Sequence, residues 1–440
     1  MYAKRMHFFI VKKLFLFIYT LMKENSFLIN KCNGLFGNIT NQTSKNATLP
    51  IMSASLLCDG IVKLNNLPNI SDVDNMVKIL KKIGVKIKKE EKSLVLNPTK
   101  ANNPILDCQL SKTMRSSLFL LGSMLRKYGE VDLTLPGGCQ IGERPIDIHI
   151  KALKRLGVSV THFGEHVFFK VKKEKANKIK LKLPSVGATE NIIQFACKLK
   201  GKTTIVNAAK EPEVVDLCNF LNQMGAKILG AGTSKITIYG VDKLSGAEYK
   251  PIGDRIVAGT IMVAVAITGG DVTINNAVPY QNLKLIEIMR QMGCQIDFKN
   301  DIIHIVKDKP IKSFNKISTG FYPSFPTDLQ SVMVALACVL HGKSEINEKV
   351  FENRFLILPE LLKLGIKAEL ISSRTLSIVG KNQINGCELV ACDLRGGASL
   401  VLLGLVAKGT TIVKNIHYID RGYDHLELML NSLGANIRRL

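Results

Sequence analysis

Residues 217–228 read LCNFLNQMGAKI and hold a helix, a stop and a strand in one short run. Leu217, Phe220, Leu221 and Met224 recur at the three-and-four spacing that puts apolar side chains on one helix face. Gly225 follows, a residue suited to the left-handed conformation that ends a helix. Ala226 and Ile228 then flank Lys227, the alternation of a half-buried strand.

The same unit returns five more times, as MVKILKKIGVKI (76–87), HIKALKRLGVSV (149–160), LIEIMRQMGCQI (285–296), ILPELLKLGIKA (357–368) and LELMLNSLGANI (426–437). Its glycines, Gly84, Gly157, Gly225, Gly293, Gly365 and Gly434, are separated by 73, 68, 68, 72 and 69 residues. Five copies are followed by a second predicted strand, at 94–96, 168–171, 236–238, 302–306 and 376–379, whereas the sixth runs out at Leu440. Ahead of the unit an apolar helix ends in glycine and a strand follows, as in 199–216, 267–283 and 407–426. Each copy thus reads helix, strand, loop, helix, strand, strand, an α/β repeat.

A solenoid and a closed architecture both fit such a period. Two features favour closure: six copies divide as three plus three, and residues 26–40 can supply the strand missing from the sixth. The expected organisation is one domain of repeats 1–3 over residues 45–252. The other combines residues 23–44 with repeats 4–6 over 253–440.

At 440 residues, 46% apolar and 22% charged, the chain has the composition of a globular protein rather than a disordered or fibrous one. The net charge of +24 opens three classes of partner: nucleic acid, anionic lipid and small anions. Its lysines are spread along the whole chain, aromatics are 6%, and there is no Trp on which bases could stack. A solvated basic surface with an attraction for small anions is the favoured reading. The ten cysteines are scattered, with Cys197 and Cys338 inside apolar runs, the pattern of a reduced, cytoplasmic protein. Cys387 and Cys392 have no second pair nearby, and His162 and His166 flank a glycine turn, so no metal site is expected. Residues 1–22 place basic residues before a short apolar stretch. That stretch is too short to span a bilayer, and no small-x-small cleavage site follows. The segment is expected to be an extension outside the fold, with Met22 as an alternative start.

The chemistry gathers in loops and helix starts. Residues 135–149, LPGGCQIGERPIDIH, set Cys139 at the tip of a glycine-rich loop with Arg144 five positions on. An exposed thiol beside a cation has a lowered pKa, and a packed turn is the competing explanation. Arg115 in SKTMR (111–115) and Lys45 with Asn46 in SKNATLP (44–50) precede apolar helices, whose N-terminal ends favour anions. Asp328 in FYPSFPTDLQ (321–330) opens another such helix, as a cap or as a general base. DLRGGASL (393–400) and IDRGYDHL (419–426) each set an Arg beside an Asp at the start of an apolar helix, for which ion-paired structural residues are the competing explanation. Together these starts point to a substrate with several negative charges. No Walker loop, GxGxxG after a strand or HExxH is present.

PGGCQIGERPIDIH, PSVGATEN (184–191), AAKEPEVVDL (208–217), FPTDLQ, VFENRF (350–355), DLRGGASL and HYIDRGYDHLELMLNSLGANI closely resemble the UDP-N-acetylglucosamine 1-carboxyvinyltransferases, enolpyruvyl transferases of the EPSP synthase superfamily. The resemblance covers about residues 26–440. It implies a two-domain inside-out α/β barrel with three repeats per domain. It also implies transfer of enolpyruvyl from phosphoenolpyruvate to the 3′-hydroxyl of UDP-N-acetylglucosamine, through a tetrahedral ketal. That reaction is the first committed step of peptidoglycan synthesis.

Carried over motif by motif, Cys139 is the proton donor to the enolpyruvyl methylene, the carrier of a covalent adduct and the target of the epoxide fosfomycin. Asp328 accepts the sugar hydroxyl's proton. Lys45, Asn46, Arg115, Arg144 and Arg421 surround phosphoenolpyruvate. Asn46, Arg115, Arg144, Pro145, Ile146, Asp147, Ile148, Asp328 and Val350 line the UDP-sugar site, with Arg354, Asp393 and Arg395 as further candidates. No metal or organic cofactor is implied, and neither nucleic acid nor stable membrane insertion. Three departures stand out. QTSKN (42–46) replaces a glycine-alanine pair before Lys-Asn, Leu183 stands where some members have lysine, and Val257 where glutamate is common. The competing assignments are the sister enzyme acting on shikimate 3-phosphate, an inactive homologue and a basic nucleic-acid binder.

Overall fold

The computed structural model describes residues 25–104, 106, 118–134, 146–164 and 166–440. All six repeat glycines carry positive φ, from +72° at Gly365 to +112° at Gly293, so each ends its helix in a conformation that a side chain would strain.

Among the described residues the strands form six sheets, five of them four-stranded and one three-stranded. The sheet around residue 225 shows the common plan. Lys202–Val206 runs parallel to Lys178–Lys180 and antiparallel to Lys235–Tyr239, which pairs on its far side with Lys227–Leu229. Ile236 and Ile238 are buried while Lys235 and Tyr239 face solvent, the alternation of a sheet covered on one face. The same plan recurs in the sheets centred on Val62–Leu64, Gly270–Asn275, Lys343–Asn347 and Thr410–Lys414.

The last sheet is completed from the other end of the chain. Ser26–Asn30 lies antiparallel between Thr410–Lys414 and Asn436–Arg439, in the place that each other repeat fills with its own second strand. Phe27 and Ile29 are both fully buried there. At about 1.5–3 kcal/mol for each buried large apolar side chain, that docking is worth several kcal/mol. Leu35–Thr40 then pairs in parallel with Gly270–Asn275.

Two kinds of helix result. Ser71–Ile83 is amphipathic, burying Val73, Met76, Ile79, Leu80 and Ile83 and exposing its lysines. Arg255–Thr268, Gln330–Val339 and Leu394–Gly404 are buried almost all round, as uniformly apolar helices must be. Two hydrophobic cores emerge. One runs from Ala47 to Leu244, and the other joins Phe27–Ile39 to residues 256–437. The halves built on them meet where the starts of the buried helices come together.

Candidate active site

Helix Lys45–Ala54 starts at the junction between the halves. Ser44 caps it by accepting the Ala47 N–H at 3.3 Å. Asp254 caps helix Arg255–Thr268 by accepting the Ile256 and Val257 N–H groups at 2.9 and 3.1 Å. Its other oxygen accepts the Lys45 N–H at 3.1 Å, so one carboxyl joins a helix start from each half. Burial raises the pKa of Asp254, against the charge of Arg395 and these N–H donors.

The QTSKN departure contributes contacts of its own. The Gln42 side chain donates to Gly422 O at 3.1 Å and accepts the Asp424 N–H at 2.8 Å, and Thr43 Oγ1 donates to Asn66 O at 2.6 Å. The backbone leading to Lys45 is therefore tied to the segment that carries Arg421. Val257 is fully buried in its helix and Leu183 is exposed.

Two charged clusters straddle the junction. In the first, Asp72, only 2% exposed, accepts Lys45 Nζ at 3.1 Å and Arg421 Nε at 3.1 Å. Burial would raise the Asp72 pKa, but Lys45 and Arg421 hold it below the usual aspartate range. Burial lowers the pKa of Lys45, against Asp72. In the second cluster, Asp328 Oδ1 pairs with Arg354, while Oδ2 faces Arg395 Nη2 at 3.3 Å and Asn46 Nδ2 at 3.5 Å. Both guanidinium groups are buried, and each lies over a ring: Arg354 over Phe351 at 5.4 Å and Arg395 over Tyr423 at 5.5 Å. Glu348 steadies the surroundings, accepting from Thr327 Oγ1 at 2.9 Å and from the Val350 N–H at 2.7 Å.

The arginines of DLRGGASL and IDRGYDHL are both ion-paired, with partners from elsewhere in the chain. Asp393 caps helix Leu394–Gly404 through the Arg395 and Gly396 N–H groups, and the Arg395 side chain goes to Asp328. Asp420 pairs with Arg439 at 2.8 Å and Arg421 with Asp72. Adjacent residues at a helix start point in different directions, so neighbours in sequence do not face each other. Asp328 lies in the 3₁₀ turn Thr327–Leu329, two residues ahead of the first residue of the helix Gln330–Val339.

Ile146 precedes helix Asp147–Arg155, in which Asp147 pairs with Lys151 at 3.1 Å. Asp147 and Ile148 border a cavity of about 300 Å³ that Lys151, Lys154, Arg155, Lys180 and Lys182 make strongly basic. Cys139, Arg115, Arg144 and Pro145 lie outside the described residues. Lys45, Asn46, Asp328, Arg354, Arg395 and Arg421 meet at the junction, whereas Val350 is held by Glu348 and Asp393 caps its own helix. Asp72, Asp254 and Glu348 join them without having been singled out from sequence. Asp72 and Asp254 read there as ordinary acids at helix starts, and only their burial sets them apart.

Among the described residues no group of three or more His, Cys, Asp or Glu side chains is disposed to hold a metal ion. Within the same residues no helix is long and apolar enough to cross a membrane. What the junction offers is a carboxylate acceptor beside four cationic side chains, an arrangement suited to proton transfer on an anionic substrate.

Comparison with known proteins gives a consistent result. The model of the EPSP synthase (3-phosphoshikimate 1-carboxyvinyltransferase) family matches residues 29–430. UDP-N-acetylglucosamine 1-carboxyvinyltransferase 2 of Caldanaerobacter subterraneus subsp. tengcongensis is 42% identical over 94% of this chain and 99% of its own. UDP-N-acetylglucosamine 1-carboxyvinyltransferase 1 of Clostridium perfringens is 45% identical over 92% of this chain and 97% of its own. Among solved structures, the enolpyruvyl transferase NikO from Streptomyces tendae superposes with a TM-score of 0.85 at 22% identity, covering 94% of this chain and 99% of that one. At that identity the likeness concerns the fold alone.

Proposed function

The chain belongs to the EPSP synthase family, and from that premise we propose that it transfers the enolpyruvyl group of phosphoenolpyruvate to the 3′-hydroxyl of UDP-N-acetylglucosamine, releasing phosphate. The observation that carries this reading is the 42% and 45% identity, over 94% and 92% of the chain, to relatives named for that acceptor. The step opens peptidoglycan synthesis and belongs in the cytoplasm.

The chemistry is addition followed by elimination. A proton adds to the methylene carbon of phosphoenolpyruvate while the sugar oxygen bonds to C2, which gives a tetrahedral ketal. Phosphate then leaves C2, the new methyl group loses a proton, and the double bond returns. Asp328 takes the hydroxyl proton, since its acceptor oxygens lie at the junction and are aimed by Arg354, Arg395 and Asn46. Lys45 and Arg421 offset the charge of the phosphate. Asp72 already bridges both cations, which supports a site suited to one shared anion. Cys139 donates the proton to carbon, and Arg115 and Arg144 add positive charge, by correspondence of motif. The segment 144–148, with Asn46, Asp328 and Val350, holds the UDP-sugar. The basic cavity beside Asp147 and Ile148 supports an anionic ligand there. No resident metal or cofactor takes part in this scheme.

Six sheets around two cores support a two-domain inside-out α/β barrel of three repeats each, divided near residues 44 and 252. Closure of the two domains on substrate would exclude water and strengthen every charge contact at the junction. Initial rates of phosphate release with UDP-N-acetylglucosamine and with shikimate 3-phosphate test the choice of acceptor. Turnover with the first and not the second is expected, and the reverse would reassign the chain to the sister activity. Asp328→Asn should lower turnover by about 10²-fold or more. Near-normal turnover would remove Asp328 from the base role.

A further inference from the structure

The loop ahead of Asp328 leaves the second core, touches the first half and returns. Its base is closed by the Gly320 N–H donating to Phe325 O at 3.0 Å, with Phe325 only 2% exposed. At its tip the Tyr322 N–H donates to Glu211 Oε1 at 3.4 Å. The Tyr322 ring lies 5.6 Å from the Arg255 guanidinium. Arg255 is held by Glu213, with Nε to Oε1 at 2.9 Å and Nη2 to Oε2 at 3.5 Å. Both side chains of that pair are buried, at 8% and 4% exposure. Glu211 and Glu213 stand at the start of helix Pro212–Gln223 in the first half, and Arg255 opens Arg255–Thr268 in the second.

We propose that Glu211, Glu213, Arg255 and Tyr322 form a clamp between the two halves that positions Asp328. The inference rests on Asp328 being the base. Arg354 and Arg395, which aim Asp328, belong to its own half, and Asn46 reaches it from the first half only at 3.5 Å, so a firmer tie must register it against a substrate held there. The clamp does so: one end grips a helix start of the first half, and the other grips Tyr322, six residues before Asp328. Pro323 and Pro326 fix the backbone φ between them, so a shift at Tyr322 is carried to Asp328 rather than absorbed. A buried ion pair adds little net stability, but it fixes geometry. Misplacing a reacting group by ~1 Å costs as much as ~10²-fold in rate.

The test measures kcat, UDP-N-acetylglucosamine affinity by titration calorimetry, and thermal unfolding in full-length variants. Tyr322→Ala and Glu211→Ala should each lower kcat by about 10- to 100-fold, with affinity and unfolding temperature little changed. Tyr322→Phe keeps the ring and Glu211→Gln keeps an acceptor oxygen, so both should recover near-normal kcat. Wild-type kcat in the alanine variants overturns the clamp, as does a loss of affinity in step with kcat. Failure of both alanine variants to fold assigns these residues to structure alone and also overturns it. A wild-type protein without turnover sinks the reading of function and the clamp with it, a result distinct from any of these.

Discussion

Replacing Asp72 by asparagine keeps its shape and removes the charge that holds Lys45 and Arg421. The carboxylate is 2% exposed and sits 3.1 Å from both cations, and the Lys45 side chain is 12% exposed. Neutralising one member of a buried pair costs about 3–5 kcal/mol, because it leaves the other charge uncompensated. The share of Arg421, at 36% side-chain exposure, is screened by water and adds little. For a cooperative unit the size of the first core, about 200 residues, each kcal/mol moves the melting temperature by about 2–4 °C. Asp72→Asn should therefore melt about 6 °C or more below wild type at neutral pH.

The pH dependence has a definite sign. The folded pKa of Asp72 is depressed below 3.8, so its contribution is present above that value and is lost as pH falls through the folded pKa. The gap between wild type and variant should close under strongly acid conditions. Inorganic phosphate should also narrow it, since an anion between Lys45 and Arg421 takes the place of the lost carboxylate. Differential scanning fluorimetry across pH, with and without phosphate, measures both effects. A negligible gap at neutral pH, or one that widens on acidification, would show that Asp72 is not the charge that holds Lys45 and Arg421.

Two further outcomes follow from buried groups. Glu190 is fully buried, and among the described residues neither of its oxygens has a hydrogen-bond partner. Burial, then the charges of Glu213 and Glu211, raise its pKa well above 4.5. Its contribution to stability is thus present below that value and lost as pH rises through the raised folded pKa. Glu190→Gln should match wild type in acid and melt progressively higher than it toward alkaline pH; parallel curves would contradict this. Among the described cysteines six are buried, and burial pushes the thiols of Cys197, Cys218 and Cys392 up to about 12 and that of Cys294 to about 11. Thiolate is scarce at all four near neutral pH, so fosfomycin with UDP-N-acetylglucosamine should add one inhibitor per chain, at Cys139. Cys139→Asp should retain some turnover and escape labelling. Peptide mapping by mass spectrometry decides this, and modification mainly at another cysteine would speak against the assigned donor.

The repeat was legible because its signals are local. An apolar helix face, a glycine at its end and an alternating strand all lie within about twelve residues, and the six glycines adopt positive φ as that pattern requires. The pairing of charges was not legible. Arg395 and Asp328 are 67 residues apart, and Arg421 and Asp72 are 349 apart, while each arginine has an aspartate close by in sequence. Nothing in a local pattern says which carboxylate a buried guanidinium will meet, because that depends on which helix starts the fold brings together. Asp254 escaped for the same reason: at the start of a helix a capping aspartate and one shared between two halves look alike. Sequence placed Asp328 at the opening of a helix, whereas the chain inserts a 3₁₀ turn after Pro326, and that turn presents the carboxylate to Arg354 and Arg395.

The proposed reaction adds phosphoenolpyruvate to UDP-N-acetylglucosamine and then eliminates phosphate. Mass spectrometry of the nucleotide product formed in deuterium oxide tests it most directly. Addition turns the methylene carbon into a methyl group that takes a proton from the medium, and elimination returns it to methylene. The expected product is UDP-N-acetylglucosamine enolpyruvyl ether with deuterium in its vinyl methylene, with one phosphate released for each product. An unchanged nucleotide, or an enolpyruvyl product that carries no deuterium, would contradict it.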